Sequence, residues 1–566
     1  MERQLRRQGV RGTPYKLLHG DLKESSEALA EAYSKPILLS HSHSIAARVM
    51  PYVHRTVQKY GTVRYRGVHS TVLFLCDVHC SACSVCLLST TSIPLSCSSP
   101  IPLCTSVVDS VYALSSSTMS TPPLPVVDNV DFVIVRRRLV DSDIRCKVTY
   151  FWAGVTPRII VADQEMLKDI LSNKSGDFPK PDTNPLTKLL VTGFATYNGE
   201  KWAKHKKIIQ PAFHFDKLKV MFHSIHDSCS DMIKRWERLE DSNGSFEVDV
   251  WPEFLELTGD IISKTGFGSN FEDGRRIFQI LKELSDLAIQ TFQSVYIPGF
   301  KYIPTKRNTR MKKLEKEFRD SIMEKINKRV GQSRNEDLLG MLLESNSEFQ
   351  KLENSKNAGM TISDIIDECK LFYIAGHETT SSLLTWTIVM LSYYPEWQAR
   401  ARDEVLQVFN SSSKLDFDAL NHLKIVTMIL NEVMRVYPPV ALLLRNSHKE
   451  MQVGKITLPA GVQIGLPILL VHHDRDLWGD DVDEFKPERF AGGVSNATNN
   501  QLCYFPFSWG PRGCIGQSYA MLEAKLAVAM ILLNFSFELS PTYVHAPSSI
   551  LVLYPQHGAH ITFHKL

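Results

Sequence analysis

Phe507-Ser-Trp-Gly510-Pro-Arg512-Gly513-Cys514-Ile-Gly516 is the stretch on which the reading of this chain turns. Its glycines free the backbone around one cysteine. Just past Gly516, Leu522, Leu526, Ala529 and Leu533 recur at helical core spacing, so Cys514 precedes a helix N-terminus. A thiol ionises where backbone N–H donors and positive charge stand close, and the helix start together with Arg512 supplies candidates for both. A cysteine merely buried in a glycine turn is the plainer alternative for any one feature. The ten-residue pattern as a whole points to a sulfur presented to a metal.

Upstream, Ala375-Gly376-His377-Glu378-Thr379-Thr380 lies inside a long apolar helix, Thr361–Met390, which opens with Thr361 and Asp364 in near capping-box spacing. A mid-helix glycine costs about 1 kcal/mol relative to alanine, and polar side chains there need partners, so something must compensate. A threonine back-bonding to the preceding turn and a surface glutamate would be the ordinary explanation. Glu432-Val-Met-Arg435 places opposite charges on one face of a helix containing Asn421–Val436, stopped by Pro438-Pro439. Pro487-Glu-Arg489-Phe490 follows. Gly199-Glu-Lys-Trp202-Ala-Lys-His-Lys206 spaces an aromatic and a cation by one helical turn, and Arg445 falls shortly after the prolines. A half-buried strand pair is expected at Val148–Trp152 and Arg158–Val161, with Thr156-Pro157 in the turn. His472, His473 and Asp474 lack a third ligand at useful spacing and are not read as a metal site.

Composition bounds the rest. The chain has 566 residues, 43% hydrophobic and 22% charged, as in ordinary folded proteins. With 64 Lys+Arg against 61 Asp+Glu, its formal charge of +3 offers no phosphate-coating surface, so nucleic acid is not expected as a partner. Apolar runs such as Val462–Val471 are too short to span a bilayer, and the basic start Met1–Gly12 is no signal peptide. The cysteines are expected to stay reduced. One segment breaks the pattern: Thr62–Cys146 has no Glu, Lys or Gln yet holds seven of the 11 cysteines. Cutting it out joins Tyr60-Gly61 to Lys147, so a strand follows a helix directly. It reads as an insertion or translated non-coding sequence, and Cys76, Cys80, Cys83 and Cys86 within it are not read as metal ligands, since Ser and Leu surround them.

The cysteine loop resembles that of the cytochrome P450 haem-thiolate monooxygenases, and the four other segments stand in that family's order. The likeness covers nearly the whole chain apart from Thr62–Cys146. It implies a mainly α fold with small β-sheets: residues 1–61 as N-terminal hinge and first helices, 62–146 as the anomalous insertion, and 147–566 as one haem-thiolate catalytic domain. It implies heme b (iron protoporphyrin IX) with Cys514 as the axial metal ligand, whose sulfur favours O–O cleavage. Phe507 would pack against the haem on the ligand side. Ala375 and Gly376 would leave room for dioxygen, and Glu378 and Thr379 would relay protons as a general acid pair. Trp202, Lys206, Arg445 and Arg512 would meet the propionates, although the family usually has Arg where this chain has Lys206. Glu432, Arg435 and Arg489 would form a buried structural cluster.

Further segments resemble the plant group that includes secologanin synthase: Asp21-Leu-Lys-Glu, Arg48-Val-Met-Pro, Asn184-Pro-Leu-Thr-Lys-Leu-Leu, Pro211-Ala-Phe-His and Lys414-Leu-Asp. Members act mainly on terpenoids, including iridoids, triterpenes and gibberellins. The resemblance implies oxygen insertion into a small hydrophobic substrate, with electrons from an NADPH-cytochrome P450 reductase, since no dinucleotide fingerprint occurs in this chain. Arg512, with Lys204, His205 and Lys207 nearer the surface, are the docking candidates for an acidic partner. The family's place is the cytosolic face of the endoplasmic reticulum membrane; the apolar anchor of its members does not precede the basic start here, which leaves peripheral contact. Two other readings stay open at this point. One is a haem-thiolate isomerase or lyase that does not need Glu378-Thr379; the other is an inactive product split by residues 62–146.

Overall fold

Val148, Tyr150 and Phe151 head a strand that is buried on both faces, not on one as the alternation predicts. The reason is a covering helix: Tyr52, on Pro51–Tyr60, meets Phe151 edge to face with ring centroids 5.5 Å apart. The computed structural model describes residues 1–16, 20–39, 42–60, 62–63, 146–182, 185–242, 244–268, 271–292, 302–329, 337–353, 359–412, 416–499 and 502–566. By internal contacts the chain divides into two units, Met1–Val63 with Cys146–Leu566, and Arg64–Arg145. The description below concerns the first; Cys76, Cys80, Cys83 and Cys86 lie outside the described residues.

Strands are β1 Arg11–Gly12, β2 Thr62–Val63, β3 Cys146–Ala153, β4 Thr156–Val161, β5 Ser245–Asp249, β6 Leu443–Asn446, β7 Met451–Val453, β8 Ile456–Leu458, β9 Gln463–Leu466, β10 Phe535–Leu539, β11 Pro547–Ser549, β12 Leu553–Pro555 and β13 His560–Lys565. The main sheet runs β1-β3-β4-β9-β6, with β2 also pairing β3. In the β3–β4 hairpin Trp152 faces Pro157 and Ala153 faces Thr156. The turn is therefore Gly154-Val155, not Thr156-Pro157: Gly154 takes φ +65°, which a hairpin of this tightness requires. Thr62 and Val63 lie antiparallel to Lys147 and Cys146, so the chain leaves and rejoins the sheet at one place.

Helices of nine residues or more are α1 Leu22–Tyr33, α2 Pro51–Tyr60, α3 Gln164–Ser172, α4 Gly199–Ile209, α5 Phe215–Glu237, α6 Val250–Phe267, α7 Phe271–Phe292, α8 Lys306–Arg329, α9 Leu338–Leu352, α10 Ile362–Tyr393, α11 Pro395–Ser412, α12 Lys424–Val436 and α13 Gln517–Asn534. The architecture is mainly helical with small sheets. Thr361 and Asp364 close a full capping box at the start of α10. α12 starts at Lys424, because Ala419–His422 forms a separate 3₁₀ turn ahead of it. α13 buries Leu526 through Leu532 continuously, as a helix apolar all round must. It packs with α5, α6 and α10 into the central bundle. Asp249 ends β5 and caps α6 through Trp251 N–H, so the second sheet, β10-β13-β5, fixes where α6 lies against α10. No helix among the described residues is long and apolar enough to cross a membrane.

Candidate active site

Cys514 sits at the end of a loop that closes on itself: its N–H donates to Phe507 O at 2.9 Å, and Gly513 N–H donates to Gly510 O at 3.0 Å. Gly510 has φ +69°, and a Cβ there would stand 2.3 Å from Leu171 O. Ser508 is held at φ +63°, a conformation that costs energy in a non-glycine residue and concentrates at functional sites. Cys514 is exposed, and it lines a cavity of about 360 Å³. Burial raises the thiol above its ordinary pKa, and the Gly516 N–H pulls weakly the other way. Arg512 does not serve the sulfur. Its guanidinium donates to Tyr197 O at 2.7 Å and Asn198 Oδ1 at 3.1 Å, 4.1 Å above the Trp202 ring. A thiol so placed becomes a thiolate when a metal cation replaces its proton.

α10 contributes Leu371, Phe372, Ala375, Gly376 and Thr379 to the wall of the same cavity. A Cβ at Gly376 would meet Ile262 Cδ1 at 3.3 Å, so the glycine also lets α10 lie close on α6. The Thr379 hydroxyl donates to Ala375 O at 2.6 Å, the back-bond of a mid-helix threonine, and the residue lines the cavity. Glu378 does not join it there. Successive helical residues point about 100° apart, and Glu378 opens on a second cavity of about 280 Å³ with Lys282, Ser285 and Asp286 of α7. Burial, and then the charge of Asp286, push its carboxyl up to about 7.

Cations gather at one rim of the main cavity, but not all those the sequence singles out. Arg445, on β6, is not among the residues lining the cavity: it is 2% exposed, donates to Leu444 O at 2.9 Å, and lies near enough for its charge to act on Lys180 and Arg512. Lys180, which sequence reasoning missed, lines the cavity beside Trp202 and Arg512. Burial, then the charges of Arg445 and Arg512, pull Lys180 down to about 7. None of Lys180, Arg445 and Arg512 pairs with a carboxylate among the described residues. Lys206 stands 5.3 Å from the Trp202 ring, donates to Pro511 O at 2.7 Å, and is not among the residues lining the cavity. It therefore holds the cysteine loop. His205 is likewise no surface residue: it is fully buried, and its Nδ1 meets Glu368 Oε1 at 2.6 Å. Lys207 is exposed, while Lys204 donates to Gly359 O at 3.0 Å.

These residues fit a haem. A largely apolar cavity is lined by a single thiol, by the small residues Ala375 and Gly376 of α10, and by Lys180 and Arg512, whose charges would stabilise two carboxylates. Phe507 lines the cavity on the sulfur side.

Behind the cysteine loop, Glu432 and Arg435 are fully buried and joined by two parallel hydrogen bonds of 2.8 Å. Arg435 also donates to His472 O at 3.1 Å, Val482 O at 2.7 Å and Glu484 O at 2.9 Å. Arg489 Nε approaches Glu432 Oε1 at 3.4 Å without forming a hydrogen bond; its principal partner is Asp481 Oδ1 at 2.8 Å. His472 uses both ring nitrogens on backbone groups, Met434 O and Phe505 N–H.

The family model described as "Cytochrome P450" matches residues 120–563. The chain is 45% identical over 571 aligned residues to cytochrome P450 72A397 of Kalopanax septemlobus, covering 100% of this chain and 93% of the relative. It is 51% identical over 456 residues to 7-deoxyloganic acid hydroxylase of Catharanthus roseus, covering 79% of this chain and 87% of the relative. Secologanin synthase 1 of the same plant is 42% identical over 573 residues, covering 100% and 93%. Among solved structures, retinoic acid bound cyanobacterial CYP120A1 superposes with TM-score 0.65 at 23% identity, over 74% of this chain and 92% of that one, a likeness of fold.

Proposed function

The chain belongs to the cytochrome P450 family of monooxygenases, and on that premise we propose that it inserts one oxygen atom from dioxygen into a small hydrophobic terpenoid. In this reading an NADPH-cytochrome P450 reductase at the cytosolic face of the endoplasmic reticulum supplies the electrons. The observation that carries the proposal is the Cys514 thiol in the wall of a largely apolar cavity that Gly376 and Thr379 also line. Bound there, the haem supplies dioxygen activation, tuned by the electron-rich sulfur.

The chain's own residues do the rest. Cys514 would hold the iron, and the Gly516 N–H would temper the charge on its sulfur. Lys180 and Arg512 in the cavity wall, backed by Arg445, would hold the propionates, with Trp202 stacked under Arg512. Thr379 lines the cavity, and Glu378 keeps a proton one residue away, supplied from the second cavity. Phe194, Phe213, Met221, Leu383 and Leu443 exclude water and offer an apolar surface to the substrate. The terpenoid class is supported by that surface and by relatives named for iridoid chemistry.

The test is a reduced carbon monoxide difference spectrum of the purified, haem-reconstituted protein. The long-wavelength Soret band of a thiolate-ligated haem is expected, and Cys514→Ser is expected to abolish it. A serine variant with the same band would remove the basis of the reading. With reductase and NADPH, a panel of terpenoid acids including 7-deoxyloganic acid should give one product heavier by a single oxygen atom.

A further inference from the structure

Glu368 of α10 is fully buried, yet both of its oxygens are engaged, and by two different elements. Oε1 meets His205 Nδ1 of α4 at 2.6 Å. Oε2 accepts the backbone N–H of Phe194 at 3.0 Å. Two residues further along α10, the buried Lys370 donates to Leu189 O at 3.0 Å. The segment from Leu189 to Phe194 is thus tied to α10 at both ends by buried charged groups. Its continuation is tied to the cysteine loop, where Arg512 holds Tyr197 O and Asn198.

A surface loop could satisfy these amides and carbonyls with water, so a buried carboxylate here needs a reason. Burying it costs several kcal/mol unless its partners are well placed. Gly193 shows how closely the loop is drawn in: at φ +101°, a Cβ there would stand 2.8 Å from Glu368 Oε2. What the tether places is the side chain next along. Phe194, with Ala195, forms part of the wall of the main cavity.

We propose that Glu368 is a positioning residue for ligand selection: it holds Phe194 in the cavity wall and, through His205, locks that wall to the helix carrying Trp202. The role rests on the main cavity being the haem and ligand site. Removing the carboxylate frees the wall without touching Cys514 or Thr379. Ligands large enough to touch Phe194 then bind more weakly, and ligands too small to reach it do not notice.

The haem-loaded protein tests this with two nitrogen ligands that shift the Soret band, imidazole and the bulky triaryl-imidazole clotrimazole. Glu368→Ala is expected to raise the Kd of clotrimazole about tenfold and leave that of imidazole within about twofold. Glu368→Gln is expected to rescue, because its carbonyl can accept the Phe194 N–H while its amide donates to a neutral His205 nitrogen. Backbone amides of residues 189–196 should exchange with deuterium faster in the alanine variant alone. Clotrimazole binding unchanged in Glu368→Ala, or both ligands weakened equally, overturns the proposal. If the alanine variant does not load haem, Gly193→Ala, whose Cβ would press on Glu368 and Leu371, displaces the same loop and carries the same expectations. No shift with either ligand in the unsubstituted protein would instead sink the haem reading itself, and the proposal with it.

Discussion

Glu378 holds its proton where an exposed carboxylate would have lost it, and the sign of the consequence can be worked out. Its carboxyl is pushed up to about 7 in the folded chain, against 4.5 for an unperturbed glutamate, first by burial and then by Asp286. Between those values the folded state binds a proton that the unfolded state does not, so stability falls as pH rises from about 4.5 to about 7. Glu378→Gln should therefore be the more stable protein at pH 8, by about 1–3 kcal/mol after discounting for partial exposure, with no advantage at pH 4. Thermal melts at both values check it. Turnover that draws on this proton should decline through about pH 7, and Asp286→Asn should move that midpoint lower; an unmoved midpoint would detach Asp286 from the acid. Lys180 shows where reading residues stops. The spacing of Trp202 and Lys206 in one helix is visible in the chain, but which cation passes the ring and which one faces the cavity depends on the approach of the segment around Pro179. That approach is set by Asn198, which bonds Lys180 through backbone at both N–H and C=O. Lys180→Met should speed haem loss about tenfold, a change of about 1.4 kcal/mol, and Lys206→Met should do so less, because Lys206 reaches Pro511 O and the Trp202 ring and not the cavity. Transfer of haem to apomyoglobin measures both, and the reverse order would reinstate Lys206.

Elements were legible to the extent that their signals are local. The capping box at Thr361, the prolines after Val436 and the core stripe after Gly516 each act within one or two turns, and each marks an observed boundary. The β3–β4 turn was misread because Pro157 looks like a turn residue, while the decisive property is the positive φ that Gly154 alone supplies cheaply. The strand β3 was misread as half-buried because nothing local announces that α2 covers its second face. His205 was misplaced for the same reason: its neighbours Lys204, Lys206 and Lys207 suggest a solvated helix face, but its partner Glu368 lies 163 residues away. At the end of α12, by contrast, the Glu432–Arg435 pair is a local feature whose burial is not. Glu432→Ala would leave Arg435 and Arg489 without their shared carboxylate and Lys486 N–H without an acceptor. Breaking a buried pair in this way costs about 3–5 kcal/mol. The expected result is protein without haem, because α12 also carries Met434 into the cavity wall. Haem content per polypeptide decides it, and normal loading would reduce the cluster to a surface-like pair.

At the scale of the whole molecule, the question is whether a fold that closes without residues 64–145 needs them. The compact unit takes in Met1–Val63 and Cys146–Leu566. Within it, Val63 stands directly opposite Cys146 and Thr62 opposite Lys147, in antiparallel register. The two ends are thus already positioned as the arms of a hairpin, and such arms are most easily joined by two residues in a type I′ turn. Closing a loop of more than 80 residues costs only slightly more entropy than closing a short one, since the penalty grows with the logarithm of length, so excision should change stability by no more than about 2–3 kcal/mol. The sign favours the shorter chain. We therefore expect a protein in which Asn-Gly replaces residues 64–145 to fold, to load haem at least as fully, and to melt at the same temperature or a few degrees higher. The composition break at Thr62–Cys146, with its absence of Glu, Lys and Gln, gives the same answer independently. If the shortened protein is insoluble or takes up no haem while the full chain does, residues 64–145 are part of the enzyme and the register of β2 against β3 has another cause. Sequencing of transcripts across Gly61–Lys147 then separates a retained insertion from a segment the mature protein is built to carry.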